Sequence, residues 1–321
     1  MADQVKIGFI GCGGNARGHM NTLNGMEDVK LVALCDVREE SAKSAAEQFG
    51  AKAYTNHKTM LAEQDLDGVY ISIPVFAHGE PEMDVVKKGI PFLVEKPVAI
   101  NMEIAKKVLD AVEKKNLITC VGYQLRYSGT VDAAKELLKG KTINMVLGKY
   151  WCNSGVGGPE AWLRQMSKSG GQLVEQATHT IDMMRNFGGE VKEVFAYQEN
   201  RVLKDIDCPD VNVVAMKFAN GALGSITTTW AYEGDWANAN VVDVLFENSL
   251  ATWTAGSLDV KPSPQTMPAK GQDQGIDRVF VDAVKSGDGS KIRSPYSDAI
   301  KTLALTLAMN KSGKSGKVET V

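Results

Sequence analysis

The sequence is poor in the features that mark several common protein classes. Its five cysteines, Cys12, Cys35, Cys120, Cys152 and Cys208, are odd in number, scattered and without a Cys-x-x-Cys pair. That argues against a disulfide framework and against a zinc ribbon. Cys12, Cys35 and Cys120 instead sit in apolar, strand-like runs, where cysteine acts as a small buried hydrophobe. No excess of positive charge exists: 36 basic residues face 39 acidic ones, for a net charge of −3, and no block of like charge stands out. Nucleic acid and anionic membrane surfaces are therefore poor partners. The longest apolar runs fall short of a membrane span. The opening stretch MADQVKIGFIGCGG lacks the basic region, long apolar core and cleavage site of a signal peptide. A reducing cytoplasm is the expected location.

What is present is an ordinary globular composition, 44% hydrophobic and 23% charged, over 321 residues. That length predicts about two domains. Over residues 1–121, apolar runs at Val5–Ile10, 31–35, 68–73, Phe92–Val94 and 117–121 alternate with helical patterns such as 38–49 and 101–115. In the latter, Ile104, Val108, Leu109 and Val112 share one face. Strands alternating with helices predict a parallel, doubly wound α/β sheet, a Rossmann dinucleotide-binding domain. From residue 122 to 321 the rhythm changes. A helical stretch at 130–140 precedes longer runs at Ile143–Trp151, 191–197, Val211–Phe218, 222–230 and 240–246, with turn signals such as Asn220-Gly221. These predict a second, α+β domain with a large, mostly antiparallel open sheet. One helix at 171–187 interrupts it, and two more, 274–285 and 297–310, close the chain. There is no internal repeat and no low-complexity linker.

The first strand runs into GCGGNA. Gly11, Gly13 and Ala16 satisfy G-x-G-x-x-A, with Asn15 inside the loop. The first glycine permits a tight turn and the second a close approach to a pyrophosphate. The small third residue allows helix and strand to pack, with helix N–H groups facing the phosphates. The second strand ends in Asp36, at the spacing of a carboxylate that accepts from ribose hydroxyls. A carboxylate there repels a 2′-phosphate, so NAD is the expected cofactor and NADP the alternative. Arg38 is a further candidate, for adenine or for a phosphate.

In PFLVEKP, a buried strand delivers Glu95 and Lys96 to its carboxyl end and Pro97 forbids its continuation. Ligands of open α/β sheets lie beyond the carboxyl ends of the strands, which makes both charges candidates for the site. Together with GCGGNA, the segments ISIPVFAH (71–78), VGYQLRY (121–127) and GGQLVEQATHTID (170–182) occur in an order that resembles the glucose–fructose oxidoreductase / inositol dehydrogenase / rhizopine-catabolism (Gfo/Idh/MocA) family over essentially the whole chain. The resemblance implies that Lys96 sits by the nicotinamide and the reacting hydroxyl and that Glu95 lies near the nicotinamide ribose. It also implicates Pro74 on the adenosine side, with His78 retained in the same loop. Where the family has Thr-Pro-Asn, this chain has Ile73-Pro74-Val75.

With helical spacing, the 171–187 segment buries Leu173, Ala177, Ile181 and Met184 and presents Glu175, His179 and Asp182 on another face. An alcohol yields hydride only as its hydroxyl proton leaves, and histidine is the side chain with a suitable pKa for that base. His179 is one of only four histidines. Lys96 would stabilise the developing alkoxide and disfavour protonation of a neighbouring imidazole. The family pattern is Asp-x-x-x-His; here the acid is Glu175, which would orient His179 or grip a neighbouring substrate hydroxyl. Asp182 could bond His179 from the next turn or serve the structure. No metal is expected: Glu-x-x-x-His lacks the second histidine of the metalloprotease motif.

The glycine-rich segment 155–164 reads as a loop over the site, with Trp162 and Arg164 as substrate contacts. Tyr123, Gln124, Arg126 and Trp151 are further candidates. These features lead to an NAD(P)-dependent oxidoreductase acting on a carbohydrate or cyclic polyol, with His179 as base and Lys96 and Glu175 in support. Two alternatives are a glycosidase that oxidises its substrate transiently and a dinucleotide-binding regulator without chemistry. The resemblance further implies a homodimer or homotetramer through the second-domain sheet.

Overall fold

A computed structural model describes residues 4–153, 158, 160–234, 236–262 and 275–321. The chain divides into two compact units, one formed by Met1–Gly122 with Gln274–Ile300 and the other by Tyr123–Asp273 with Lys301–Val321.

The first unit opens with β1 (Val5–Ile10), α1 (Gly14–Asn24), β2 (Val29–Cys35), α2 (Glu39–Phe49), β3 (Lys52–Tyr54) and α3 (His57–Glu63). It continues with β4 (Gly68–Ile71), α4 (Glu80–Lys88), β5 (Phe92–Val94), α5 (Met102–Lys114) and β6 (Thr119–Val121). The six strands form one parallel sheet in the order β3-β2-β1-β4-β5-β6. Every residue of β4 and β5 is buried, as expected of central strands covered on both faces, and so is every residue of the edge strand β6. α5 turns Ala105, Val108 and Val112 inward, with Asn101 capping its first turn. This strand order is the doubly wound one, and its direction reverses between β1 and β4.

The second unit begins with α6 (Gly129–Leu138), β7 (Ile143–Trp151), α7 (Met166–Ser169), α8 (Gly171–Glu175) and α9 (Thr178–Gly188). Strands β8 (Val191–Glu199), β9 (Val211–Phe218), β10 (Leu223–Thr229), β11 (Val241–Phe246), β12 (Ser249–Trp253) and β13 (Leu258–Lys261) follow. With β7 and the chain's last strand, β14 (Glu319–Thr320), they make an eight-stranded sheet, β13-β12-β11-β7-β10-β9-β8-β14, antiparallel at every pairing except β7 with β10. One face of the sheet is buried under α9 with Ile181, Met184 and Phe187. The other alternates outward and carries Met145, Tyr197, Val213 and Leu223 exposed.

The chain ends with α10 (Ile276–Ser286), α11 (Tyr296–Ser315) and β14 (Glu319–Thr320). Here the structure departs from a single division at residue 121. α10 belongs to the first unit, where it packs on α1 and β1. Its Phe280 meets the Tyr70 ring edge-on, with centroids 5.3 Å apart. β3, at three residues, and β12 to β14 were not anticipated. None of the five cysteines forms a disulfide and all are buried, and burial pushes the thiols of Cys35 and Cys152 up to about 11. Among the described residues no helix is long and apolar enough to cross a membrane.

Candidate active site

The carboxyl ends of β1, β2, β4 and β5 collect the candidates of the first unit. After β1, Gly11 takes φ +98°, and its N–H donates to the Cys35 carbonyl at 2.7 Å. A Cβ there would lie 2.0 Å from the Ser72 carbonyl oxygen, so only glycine fits. Gly13 stands immediately before α1 with no side-chain cap, and a Cβ on Gly13 or Gly14 would meet no atom within 4 Å. The loop therefore leaves an open approach to the first N–H groups of an eleven-residue helix, a cradle suited to a pyrophosphate. Ala16 is fully buried, while Asn15 faces solvent at the loop.

Asp36, at the end of β2, is nearly buried and fixed by backbone. Its Oδ2 accepts from Cys12 N–H at 3.0 Å and its Oδ1 from Arg38 N–H at 2.9 Å. The Arg38 side chain is 71% exposed and reaches Asp36 only at 3.5 Å. Pro74 precedes a single 3-10 turn, Val75–Ala77. His78 is buried beyond it, with Nδ1 bonded to Glu82, whose other oxygen accepts from Gly79 N–H at 2.6 Å. Its Nε2 has no hydrogen-bond partner among the described residues.

Beyond β5, Glu95 donates its N–H to the Ile71 carbonyl at 2.8 Å, and its Oε2 accepts from Lys96 N–H at 3.1 Å. The Lys96–Pro97 peptide bond is cis. The Glu95 carboxylate is buried, and its other oxygen, Oε1, lies 2.9 Å from Nε2 of His19 on α1. Nδ1 of His19 is 2.6 Å from Oδ1 of Asp277 on α10. Burial would push the His19 imidazole down, but the hydrogen bonds it donates to Asp277 and Glu95 outweigh it and raise it to about 10. Sequence reasoning missed both His19 and Asp277. The available signal was the spacing: His19 lies three residues past Ala16, one helical turn on.

In the second unit the segment expected as one helix over 171–187 is two, α8 and α9, broken at Gln176 and Ala177. The break is held from the side and from within. Trp230 Nε1–H donates to the Gln176 side-chain oxygen at 2.5 Å, and Ala177 N–H reaches back to the Gln172 carbonyl at 2.9 Å. Glu175 thus ends one helix and His179 stands in the first turn of the next, both half-buried. The apolar stripe Leu173, Ala177, Ile181 and Met184 is buried as expected.

Tyr123 packs its ring edge against His179, centroids 6.0 Å apart, and its hydroxyl pairs with Thr178 Oγ1 at 2.9 Å. Tyr123 is 1% exposed, and burial raises its phenol. Asp182 does not serve His179. Its two oxygens take Arg126 Nε at 2.7 Å and Nη2 at 2.6 Å, and Thr302 Oγ1 donates at 2.8 Å, all in the interior. Arg126, expected as a substrate contact, is accordingly a buried structural partner, because its fork is spent on Asp182. Arg164 follows Trp162 in a 3-10 turn and pairs with Asp205. Trp151 donates to Thr227 Oγ1 at 3.0 Å, and Gln124 is exposed. Residues 155–157 and 159 of the expected loop lie outside the described residues.

Two family models match the chain. Residues 5–123 match that of the oxidoreductase family with an NAD-binding Rossmann fold, and residues 132–248 match the Gfo/Idh/MocA C-terminal domain. The chain belongs to the Gfo/Idh/MocA family of NAD-binding oxidoreductases. It is 29% identical to the myo-inositol 2-dehydrogenase of Thermotoga maritima over 69% of this chain and 67% of that enzyme. It is 29% identical to the glucose-6-phosphate 3-dehydrogenase of Bacillus subtilis over 56% of this chain and 52% of that enzyme, about half its length. Among solved structures it resembles the WlbA dehydrogenase of Bordetella pertussis, in complex with NADH and UDP-GlcNAcA, with a TM-score of 0.86 and 22% identity over 99% of each chain, a likeness of fold.

Proposed function

We propose that this Gfo/Idh/MocA oxidoreductase moves hydride between a hydroxyl-bearing carbon of a carbohydrate or cyclic polyol and a nicotinamide. The observation that carries this reading is the placement of Lys96 at the carboxyl end of β5, the same end of the sheet at which β1 runs into a glycine cradle open to a dinucleotide. Two relatives named as dehydrogenases of inositol and of a sugar phosphate support the substrate class. NAD, when bound, accepts the hydride and its two electrons. The chain's residues then manage the proton. As the carbinol C–H bond breaks and the carbonyl forms, His179 takes the hydroxyl proton and the Lys96 ammonium donates to the same oxygen. Glu175, at the end of α8, orients His179 or holds an adjacent hydroxyl. Gly11, Gly13, Asn15 and Ala16 would hold the pyrophosphate and Pro74 and Glu95 would meet the dinucleotide further along, while His78, its side chain 1% exposed and bonded to Glu82, would support the Pro74 loop from within. Asp36 holds the ribose and, as a carboxylate, repels a 2′-phosphate, so NAD is favoured over NADP. Tyr123 shapes the floor beneath His179, and Trp162 and Arg164 belong to the substrate side.

The test is a panel of free sugars and polyols assayed for reduced nicotinamide, with NAD and NADP in parallel. Net NADH from a cyclic polyol or sugar is expected, and Lys96→Ala should lower it by about 10²- to 10³-fold. No reduction with any member would overturn the reading.

The exposed sheet face supports a second copy as partner. Tyr197 stands directly opposite Val213, and Leu223 beside Met145, two apolar pairs on neighbouring strands. Light scattering is expected to show an oligomer that Tyr197→Asp shifts toward monomer.

A further inference from the structure

The proposed site does not use His19, yet the fold buries this ring among charges with some care. The ring stands on α1, the helix that starts at the glycine loop, and its side chain is 13% exposed. Each nitrogen faces a carboxylate oxygen, Nε2 that of Glu95 at 2.9 Å and Nδ1 that of Asp277 at 2.6 Å. A neutral imidazole has one N–H and can satisfy only one such acceptor; two carboxylates at these distances require two donors, hence the imidazolium. The other titratable group packed against the ring is the Tyr70 phenol of β4, its centroid 5.4 Å away and its ionisation pushed well up by burial. Glu95 is confined on its remaining side as well. A Cβ on Gly122, just past β6, would fall 2.6 Å from Glu95 Oε2, so the glycine keeps space for the carboxylate.

We propose that His19, braced by Asp277, is a positioning residue that fixes the Glu95 carboxylate and through it the backbone turn that presents Lys96. The chain of contacts is continuous: Asp277 to His19, His19 to Glu95 Oε1, and Glu95 Oε2 to the Lys96 N–H. It joins three segments far apart in sequence, α1, the end of β5 and α10. A rigid carboxylate matters because a small misplacement of a reacting group costs far more rate than binding. The consequence for catalysis rests on the functional reading above; the consequence for the turn does not.

The pH dependence follows from the direction of the shift. An imidazole near 6.5 in the unfolded chain and raised to about 10 in the fold stabilises fully below pH 6.5, and the contribution is lost as pH rises toward 10. Asp277→Asn removes one of the two charges that hold the proton, so the loss should move to lower pH.

The experiment compares the full-length wild type with His19→Gln and Asp277→Asn, each checked for fold by circular dichroism. Amide hydrogen exchange at Glu95 and Lys96 is expected to quicken at least about tenfold in His19→Gln, with the rest of the β-sheet little changed. On the polyol identified by the panel, kcat should fall about 10- to 100-fold, a larger change than any weakening of dinucleotide binding through Glu95. In Asp277→Asn the alkaline decline of kcat should begin at lower pH. Unchanged exchange at Lys96 in both folded variants overturns the proposal, as does a loss of stability with kcat and its pH profile intact. If the wild type oxidises nothing, the functional reading falls while exchange at Lys96 still decides the role of His19.

Discussion

In the first unit the side chains nearest the proposed chemistry are locked by full charges: Glu95 against the His19 ring, and that ring against Asp277. In the second, His179 and Glu175 stand at the break between two helices, among an aromatic edge, a hydroxyl and an amide: Tyr123, Thr178 and Gln176. The second unit does hold a dense charged cluster, Arg126 with Asp182, but one turn away and turned inward. The contrast separates two tasks. An electrophile and its frame gain from strong, fixed ion pairs, whereas a base must bind and release its proton near neutral pH and so needs a pKa close to the working pH.

Three substitutions would break or sharpen that contrast. The largest effect is expected from His179→Ala: turnover should drop by about 10²- to 10⁴-fold while dinucleotide binding, read by fluorescence titration, persists. An active His179→Ala enzyme would move the base elsewhere and dissolve the distinction. Arg126→Ala should destabilise the chain by about 3 kcal/mol in urea unfolding, since it takes the two-pronged partner from buried Asp182 and leaves it only Arg185 at 3.9 Å and the Thr302 hydroxyl. A surface-like cost near zero would show that the cluster is not structural. Smallest is Trp230→Phe, which deletes the donor to Gln176. About 1 kcal/mol of stability should be lost, and kcat should fall more than KM rises, because the helix break that seats His179 loosens. Equal changes in kcat and KM would mean the break does not set the base.

Much of this was legible in the residues. β1, β5, β7 and β9 end where their apolar runs end, and the glycine loop, Asp36 and the Glu95-Lys96-Pro97 turn lie at the strand ends where the pattern put them. What escaped is non-local. β3 is three residues, too short for alternation to register. The 171–187 pattern carries no proline, and the residue at its break, Gln176, is bonded by Trp230, 54 positions away. Arg126 and Asp182 each look like surface or site charges until folding makes them partners 56 positions apart. α10 has an amphipathic period that fits any sheet, so nothing local assigns it to the first one.

That assignment of α10 bears on synthesis and on dissection. The sheet of the first unit is complete by Val121, yet the helix carrying Phe280 and Asp277 follows the whole stretch Tyr123–Asp273. On the ribosome, the emerging sheet must wait with one flank uncovered while the intervening chain is made. A fragment cut at Gly122 would keep that flank bare and leave the imidazole of α1 with one carboxylate instead of two. A self-sufficient nucleotide-binding module would need residues 275–300 joined back onto it by a linker.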